Sequence, residues 1–363
     1  MGEQRVRVGI ACGDMNGVGY EVVIKSLSDG RMSEMFTPVL YGSSKALAYH
    51  KNRIEESRDF SFVVVPSARE ARPKRINVVN CGDENIKVEP GVSTAEAGLM
   101  AVASLRAAVA ELKSGQIDAL ATAPINKENV QSPEFGYTGH TEFLAAEFGG
   151  EALMVMCSDM LRVGLATIHV PVAKVSGMIT KELVVSRLRA LRKTLTSDFS
   201  IVEPRIAVLS LNPHAGDGGL MGDEEQHAIR PAVEQAIGEK ILAFGPFAAD
   251  GLFASGSYRK YDAILAMYHD QGLIPFKSLS PEGVNFTAGL SAIRTSPDHG
   301  VAYDIAGHGI ADPSSMRNAI YAAIDIFNSR NNYKTITKNP LRRFERERGG
   351  ADLSVRDLIP EVG

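Results

Sequence analysis

Short apolar segments alternate with helix-forming ones along nearly the whole of this chain, and that alternation leaves few folds open to it. Residues 6–11, 39–41, 62–65, 76–79 and 117–122 read as strands, as do 162–169, 205–211 and 262–268 further on. Helical stretches start near Tyr20, run through His50, and span about 94–113, 180–196 and 224–238. The 94–113 stretch is rich in alanine and leucine, which favour helix and close packing, and Gly115 ends it. Such alternation predicts an α/β fold with a largely parallel sheet and helices on its faces. At 363 residues the chain suits two α/β domains with a cleft between them. The expected division gives 1–130 with 300–363 to a first, discontinuous domain and 131–299 to a second.

Composition narrows the function classes. A net charge of -4 gives no electrostatic reason to expect nucleic acid as a partner. The basic cluster from Lys338 to Arg348 is interrupted by Glu345 and Glu347, and reads as a solvated helical face. Cys12, Cys81 and Cys157 stand far apart and form no CxxC pair, which predicts free thiols in a reducing cytoplasm. The chain enters a strand almost at once, without the pattern of a leader, and no apolar run reaches the roughly 20 residues of a membrane helix. The expectation is a cytoplasmic protein without a membrane partner.

Three of the apolar runs lead into a histidine: His169, His214 and His269. In an open α/β sheet, ligands bind beyond the carboxyl ends of the strands. Three imidazoles delivered to that rim are candidate ligands of one divalent metal, with positions left for substrate. Their spacings of 45 and 55 residues suit separate strand–helix units and not a zinc-finger knuckle. Neutral imidazole suits zinc, cobalt, manganese or nickel; zinc is the expected ion, with magnesium, cobalt or manganese as alternatives. Asp250 and Asp270 are available as further ligands, or as helix-capping and turn residues.

A second set of residues points to an anion. Gly139, His140 and Thr141 read as a loop entering a helix, whose free amides and dipole favour a phosphate or carboxylate; the alternative is an N-cap at Thr141. Lys277, Asn285 and Arg294 follow within about 25 residues of His269. Lysine and arginine together suit a phosphate monoester, although each alone would sooner be read as a surface salt-bridge residue. The glycine cluster 13–19 fails the GxGxxG pattern, since Val22 stands at the third glycine position, and it lacks a P-loop lysine. It reads as a tight strand-to-helix turn.

The run Asp298-His-Gly-Val-Ala-Tyr-Asp-Ile-Ala-Gly-His-Gly-Ile-Ala-Asp-Pro313 is similar to a loop of the decarboxylating dehydrogenases of isocitrate and isopropylmalate. In those enzymes the loop takes the adenosine half of the nicotinamide cofactor. The resemblance implies His299 and Gly300 at the adenine and Asp304 at the ribose, with the acidic residue favouring NAD. Tyr303 and His308 depart from that loop's proline and lysine.

Five motifs, Ala123-Pro-Ile-Asn-Lys127, Thr138-Gly-His-Thr-Glu142, Asn212-Pro-His-Ala-Gly216, Ala266-Met-Tyr-His-Asp-Gln-Gly272 and Arg294-Thr-Ser-Pro-Asp-His-Gly300, occur in this order. Together they resemble the 4-hydroxythreonine-4-phosphate dehydrogenase family of pyridoxal phosphate biosynthesis, from about residue 6 to about 327. The resemblance implies a fold like that of isocitrate and isopropylmalate dehydrogenase and a homodimer with its active site between subunits. It implies metal ligands at His169, His214 and His269, and substrate contacts at His140, Thr141, Lys277, Asn285 and Arg294. The implied reaction is NAD-dependent, metal-dependent oxidation of 4-phosphooxy-L-threonine, followed by decarboxylation to 3-amino-2-oxopropyl phosphate. Lys127 and Asp270 are candidates for the general base by motif position. Alternatives are a dehydrogenase of D-threonate or D-erythronate 4-phosphate and, outside that class, a metal-dependent phosphatase or aldolase or a non-catalytic metal-binding module. The first turn departs from the family's usual GDPAGIGPE, with Met15 and Tyr20 replacing its prolines. The basic stretch 72–75 and the tail beyond Ser329 have no assigned role.

Overall fold

The structure, a computed structural model, describes residues 5–341 except 84, 134 and 138. Thr138 of the second motif and most of the C-terminal basic cluster lie outside the described residues.

Twelve strands form one sheet: β1 (Arg7–Ala11), β2 (Thr37–Gly42), β3 (Phe62–Val64), β4 (Ile76–Asn80), β5 (Ala119–Thr122), β6 (Leu153–Cys157), β7 (Arg162–Leu165), β8 (Arg205–Leu209), β9 (Leu242–Phe247), β10 (Ala263–Ala266), β11 (Val284–Ala288) and β12 (Arg294–Pro297). Eleven α-helices accompany them: α1 (Gly19–Leu27), α2 (Met32–Met35), α3 (Ser44–Lys51), α4 (Ala95–Lys113), α5 (His140–Phe148), α6 (Val172–Met178), α7 (Lys181–Ser197), α8 (Arg230–Gly238), α9 (Ala249–Ala254), α10 (His269–Leu279) and α11 (Ser314–Thr337). The order across the sheet is β3-β4-β2-β1-β5-β12-β11-β6-β7-β10-β8-β9. The expected α/β architecture is therefore present. Strands such as β2 and β10 are buried along their whole length, as strands covered on both faces must be, and this explains their unbroken apolar character.

The expectation of a largely parallel sheet holds in the two wings and fails at the centre. There β12, β11, β6 and β7 pair antiparallel in succession. The sequence reading missed β6, β9, β11 and β12. In β11 and β12 the reason is chemical: Asn285, Thr287, Arg294 and Ser296 break the apolar pattern. Through these strands the sheet runs unbroken across the expected boundary near residue 130. Helix α11 then returns to pack on β12, β5, β1 and β11.

Element ends also shift. The strand expected over 162–169 stops at Leu165, that over 205–211 at Leu209, and that over 262–268 at Ala266. The helix expected from 224 begins as one π-helical stretch, Glu225–Ile229, before α8. Helix α11 ends at Thr337, so Lys338 to Leu341 are not the helical face expected of them; Pro340 follows closely and disfavours helix in the residue before it. By contrast α4 begins where the sequence placed it, with the Thr94 side chain accepting from the Ala97 amide as N-cap.

The turn between β1 and α1 is tight for a steric reason. Gly13 has φ of +70°, and a Cβ there would lie 2.2 Å from the Pro124 carbonyl oxygen. His50 of α3 supports the same turn: its Nε2 donates to the Met15 carbonyl at 2.7 Å, and its ring stacks on Tyr20. Burial holds the His50 pKa below 6.5, against the opposing pull of that hydrogen bond and of Glu21. A depressed histidine pKa means that the unfolded chain binds the proton first, so stability is present above 6.5 and is lost as pH falls below it. The expected contribution is up to about 1.4 kcal/mol per pH unit. Urea unfolding between pH 7.5 and 5.5 should show a shallower pH slope for His50→Gln than for the parent; equal slopes would exclude this role.

Candidate active site

Strands β7, β10 and β8 are consecutive in the sheet and parallel, and each is followed within a few residues by one of the three histidines. Two of them meet. The His169 and His269 rings stand 6.0 Å apart between centroids. His269 opens α10, and its Nδ1 lies 2.7 Å from Asp270 Oδ1. His169 Nδ1 lies 3.5 Å from Glu142 Oε1. A carboxylate hydrogen-bonded at Nδ1, as Asp270 is to His269, favours the proton there and leaves the Nε2 lone pair available, the orientation of metal-binding imidazoles.

His214 is not brought to that pair. It begins a run from His214 to Gly218 in which every residue has positive φ, a left-handed turn. The base of the turn is held by Glu225, whose carboxylate accepts from the Leu211 and Asn212 amides and from Asn212 Nδ2. Among the described residues no three histidine, cysteine or acidic side chains are grouped to hold a metal ion. One chain thus offers two imidazoles with flanking carboxylates, a donor set that fits part of a divalent-metal site. Asp250 lies exposed in the first turn of α9, and Asp270 is engaged by His269.

The anion set sits on strands and a helix start. Arg294 is only 3% exposed, and its guanidinium donates to the Thr122 and Thr287 hydroxyls and, among the described residues, to no carboxylate. Burial pulls its pKa down to about 9, and nearby Glu142 pulls it back up. A buried cation held by neutral hydroxyls is poised to accept an anion. His140 is the first residue of α5 and Gly139 its N-cap, so no side chain caps the helix and Thr141 stands inside the first turn. Burial, Arg294 and Lys127, in that order, hold the His140 pKa well below 6.5, which keeps the ring neutral. Its Nε2 is buried without a partner.

Asn285 Oδ1 is likewise buried and unpartnered; as an acceptor it suits a hydroxyl or ammonium group better than a phosphate oxygen. Lys277 is half exposed and bonded to Asp298, both at the backbone carbonyl and at Oδ1, 3.1 Å each. Lys127 is exposed beside the Gly139 turn. Five buried side-chain atoms lack partners among the described residues, and three belong to His140, Asn285 and His299. Buried polar atoms left without a partner are places where a polar ligand can bond.

On the other side of the cleft, residues 299–313 pack on the β1–α1 turn. Val18 donates to the Val301 carbonyl at 2.9 Å, and Ala311 donates to Glu21 Oε1 at 2.7 Å. His299 Nδ1 lies 3.0 Å from the Gly300 carbonyl, so Nδ1 carries the proton and the buried Nε2 is a bare acceptor. Gly300 and Asp304 are exposed. Sequence reasoning missed Thr122, Thr287, Glu142 and Asp298. The last two stood inside quoted motifs; the two threonines gave no signal, because their role is visible only once β5, β11 and β12 are neighbours.

Fold and site together define a mixed α/β protein with a buried guanidinium held by hydroxyls and, elsewhere among its strand ends, a histidine pair. The family model of "Pyridoxal phosphate biosynthetic protein PdxA" matches residues 34–323, and the chain belongs to that family. A 4-hydroxythreonine-4-phosphate dehydrogenase of Bacteroides thetaiotaomicron is 48% identical over 99% of this chain and 100% of its own length. A protein of Oceanobacillus iheyensis with the provisional name D-threonate 4-phosphate dehydrogenase is 39% identical, over 88% of this chain and 97% of its own. The crystal structure of a 4-hydroxythreonine-4-phosphate dehydrogenase from Klebsiella pneumoniae has a TM-score of 0.79 at 34% identity, covering 90% of this chain and 99% of that one. No helix among the described residues is long and apolar enough to cross a membrane.

If Arg294 is the anion anchor, millimolar inorganic phosphate should raise the melting temperature of the parent protein. Arg294→Met should weaken phosphate binding by roughly 10- to 100-fold, the worth of a charged hydrogen bond. Equal phosphate affinity in the two proteins, by calorimetry, would remove Arg294 from the site.

Proposed function

We propose that this protein is an NAD-dependent dehydrogenase that oxidises the secondary alcohol of 4-phosphooxy-L-threonine, the resulting β-keto acid then losing carbon dioxide to leave 3-amino-2-oxopropyl phosphate. The observation that carries the reading is the buried Arg294 guanidinium, which among the described residues bonds to hydroxyls and to no carboxylate, set near the buried His140 Nε2 that lacks a partner among them. The names of its relatives give the substrate class. Arg294, His140 and the first-turn amides of α5, with Thr141, bind the phosphate; Lys277 adds charge from the other wall. Asn285 Oδ1 accepts from the substrate's ammonium group. His299, Gly300 and Asp304 line the place for NAD, with bare Nε2 of His299 as an acceptor for an adenine amino group and exposed Asp304 for ribose hydroxyls. Lys127 is favoured over Asp270 as the group that takes the alcohol proton, because Asp270 already holds His269.

His169 and His269 would hold a divalent cation, zinc foremost, through Nε2, and NAD and the cation supply the hydride acceptor and the Lewis acid. His214 completes the site from a second copy of the chain. Apolar side chains lie exposed close to each histidine: Val172 at 73%, Leu220 at 85% and Ile274 at 66%. Their burial against a second copy would accompany that exchange of ligands.

The second reading, oxidation of D-threonate 4-phosphate, rests on the Oceanobacillus relative. NADH formation should be followed with 4-phosphooxy-L-threonine and with D-threonate and D-erythronate 4-phosphates. Preference for the amino acid is expected; preference for a sugar acid supports the second reading, and no NADH with any of them sinks both. Metal chelation should abolish turnover and re-addition restore it. His214→Ala and His269→Ala should each be inactive alone. Co-refolded in equal amounts they should regain about a quarter of the parent activity, because half the dimers would be mixed and each would carry one intact site. An inactive mixture would place all three ligands in one chain.

A further inference from the structure

Three loops from distant parts of the chain meet around one buried carboxylate outside the anion pocket. Asp14, in the β1–α1 turn, has no exposed surface. Its Oδ1 accepts from the Asn16 amide at 2.8 Å. Its Oδ2 accepts from Asn129 Nδ2 at 2.8 Å and from the Tyr303 hydroxyl at 2.7 Å. Asn129 Nδ2 also reaches the Tyr303 oxygen at 3.3 Å, and the side chains of Ser93 and Asn126 interact with that oxygen as well. One phenol oxygen in the 299–313 loop therefore touches residues 126 and 129, which bracket Lys127.

Among the described residues, the loop's other hydrogen bonds to the first third of the chain go to α1 or the turn leading into it. Val301, Gly309, Ala311 and Pro313 are tied in this way to Val18, Glu21, Lys25 and Ser26. Tyr303 is thus the loop's bond to the Lys127 segment. It is also a residue by which this chain departs from the loop it resembles, where proline stands and no hydroxyl is available. Burial, then Asp14, pushes the phenol up to about 12, so it donates throughout the neutral range. A buried carboxylate shared by three donors tolerates little displacement of any of them, because each lost bond leaves a desolvated charge short of a partner.

We propose that Tyr303, acting through Asp14 and Asn129, is a positioning residue that couples occupation of the 299–313 loop by NAD to the placement of Lys127 at the substrate. The inference rests on the reading of that loop as the cofactor's. Binding on one side shifts or stiffens the hydroxyl, and the network passes that to both asparagines flanking Lys127. Substrate and cofactor then bind more tightly together than apart.

The test is a titration of NADH into the metal-loaded protein, with and without 4-phosphooxy-L-threonine, since reduced cofactor and an alcohol substrate cannot react. In the parent, the phosphorylated substrate should tighten NADH binding by roughly 5- to 10-fold. In Tyr303→Phe that factor should fall close to one while the affinity for NADH alone stays near the parent value; the melting temperature falls with the lost bond to buried Asp14 and does not bear on the coupling. Asn129→Ala should lose the same coupling, and the double variant should lose no more than either. Undiminished coupling in Tyr303→Phe overturns the inference, as does an equal loss of affinity for NADH with and without substrate, which a merely structural bond would give. Absence of coupling in the parent overturns it too. Absence of NADH binding by the parent overturns the cofactor reading itself, and the inference with it.

Discussion

A guanidinium buried in the middle of a sheet must be surrounded by groups that tolerate it, and Arg294 sets that requirement here. Its hydrogen-bond partners are hydroxyls on the neighbouring strands, Thr122 of β5 and Thr287 of β11, and Glu142 stands nearby without bonding to it. Moving such an ion from water costs several kcal/mol after relaxation, and neutral hydroxyls return only part of it. This one demand accounts for the polar residues of β11 and β12. It also explains why the adjacent imidazole stays neutral: two cations nearby and deep burial make a third charge too costly.

The same demand decides what could be read in the sequence. The wings were legible because β1, β2, β4, β5, β7, β8 and β10 are apolar runs with helices between them, and α4 and α7 carry threonine N-caps that announce their starts. Strands β11 and β12 were not, since their residues are chosen for the site rather than for a core. The motifs pointed to Arg294, His140 and Asn285, and the fold sets Arg294 and Lys127 near His140 and puts Asn285 on the strand paired with that of Arg294. The hydroxyls that hold Arg294 were invisible, because a threonine at a strand end has no distinctive spacing. His169 and His269 meet as neighbouring strands dictate. His214 follows the adjoining strand, yet its left-handed turn carries it elsewhere.

That turn has its own energetics. Non-glycine residues in left-handed conformation cost roughly 1–2 kcal/mol each, and His214, Ala215 and Asp217 all adopt it. Glu225, with only 1% of its surface exposed, offsets this by satisfying the two amides at the base of the turn. Glu224 adds a bond to Asn212 at 2.6 Å. The exposed Leu220 and Met221 lie immediately beyond, so the segment presents a histidine and an apolar pair together.

The placement of β12 has a consequence for the newborn chain. Strand β5 is complete at Thr122, but the partner that covers its open side begins only at Arg294, about 170 residues later. At ribosomal rates of roughly 5–20 residues per second, that edge waits on the order of 10–35 s for its neighbour. During the interval the amino-terminal half presents a bare parallel edge, a standing invitation to pair with another nascent chain. Production of this protein in a cell should accordingly depend on trigger-type chaperones more than its final stability would suggest, and slowing translation should aggravate the dependence rather than relieve it.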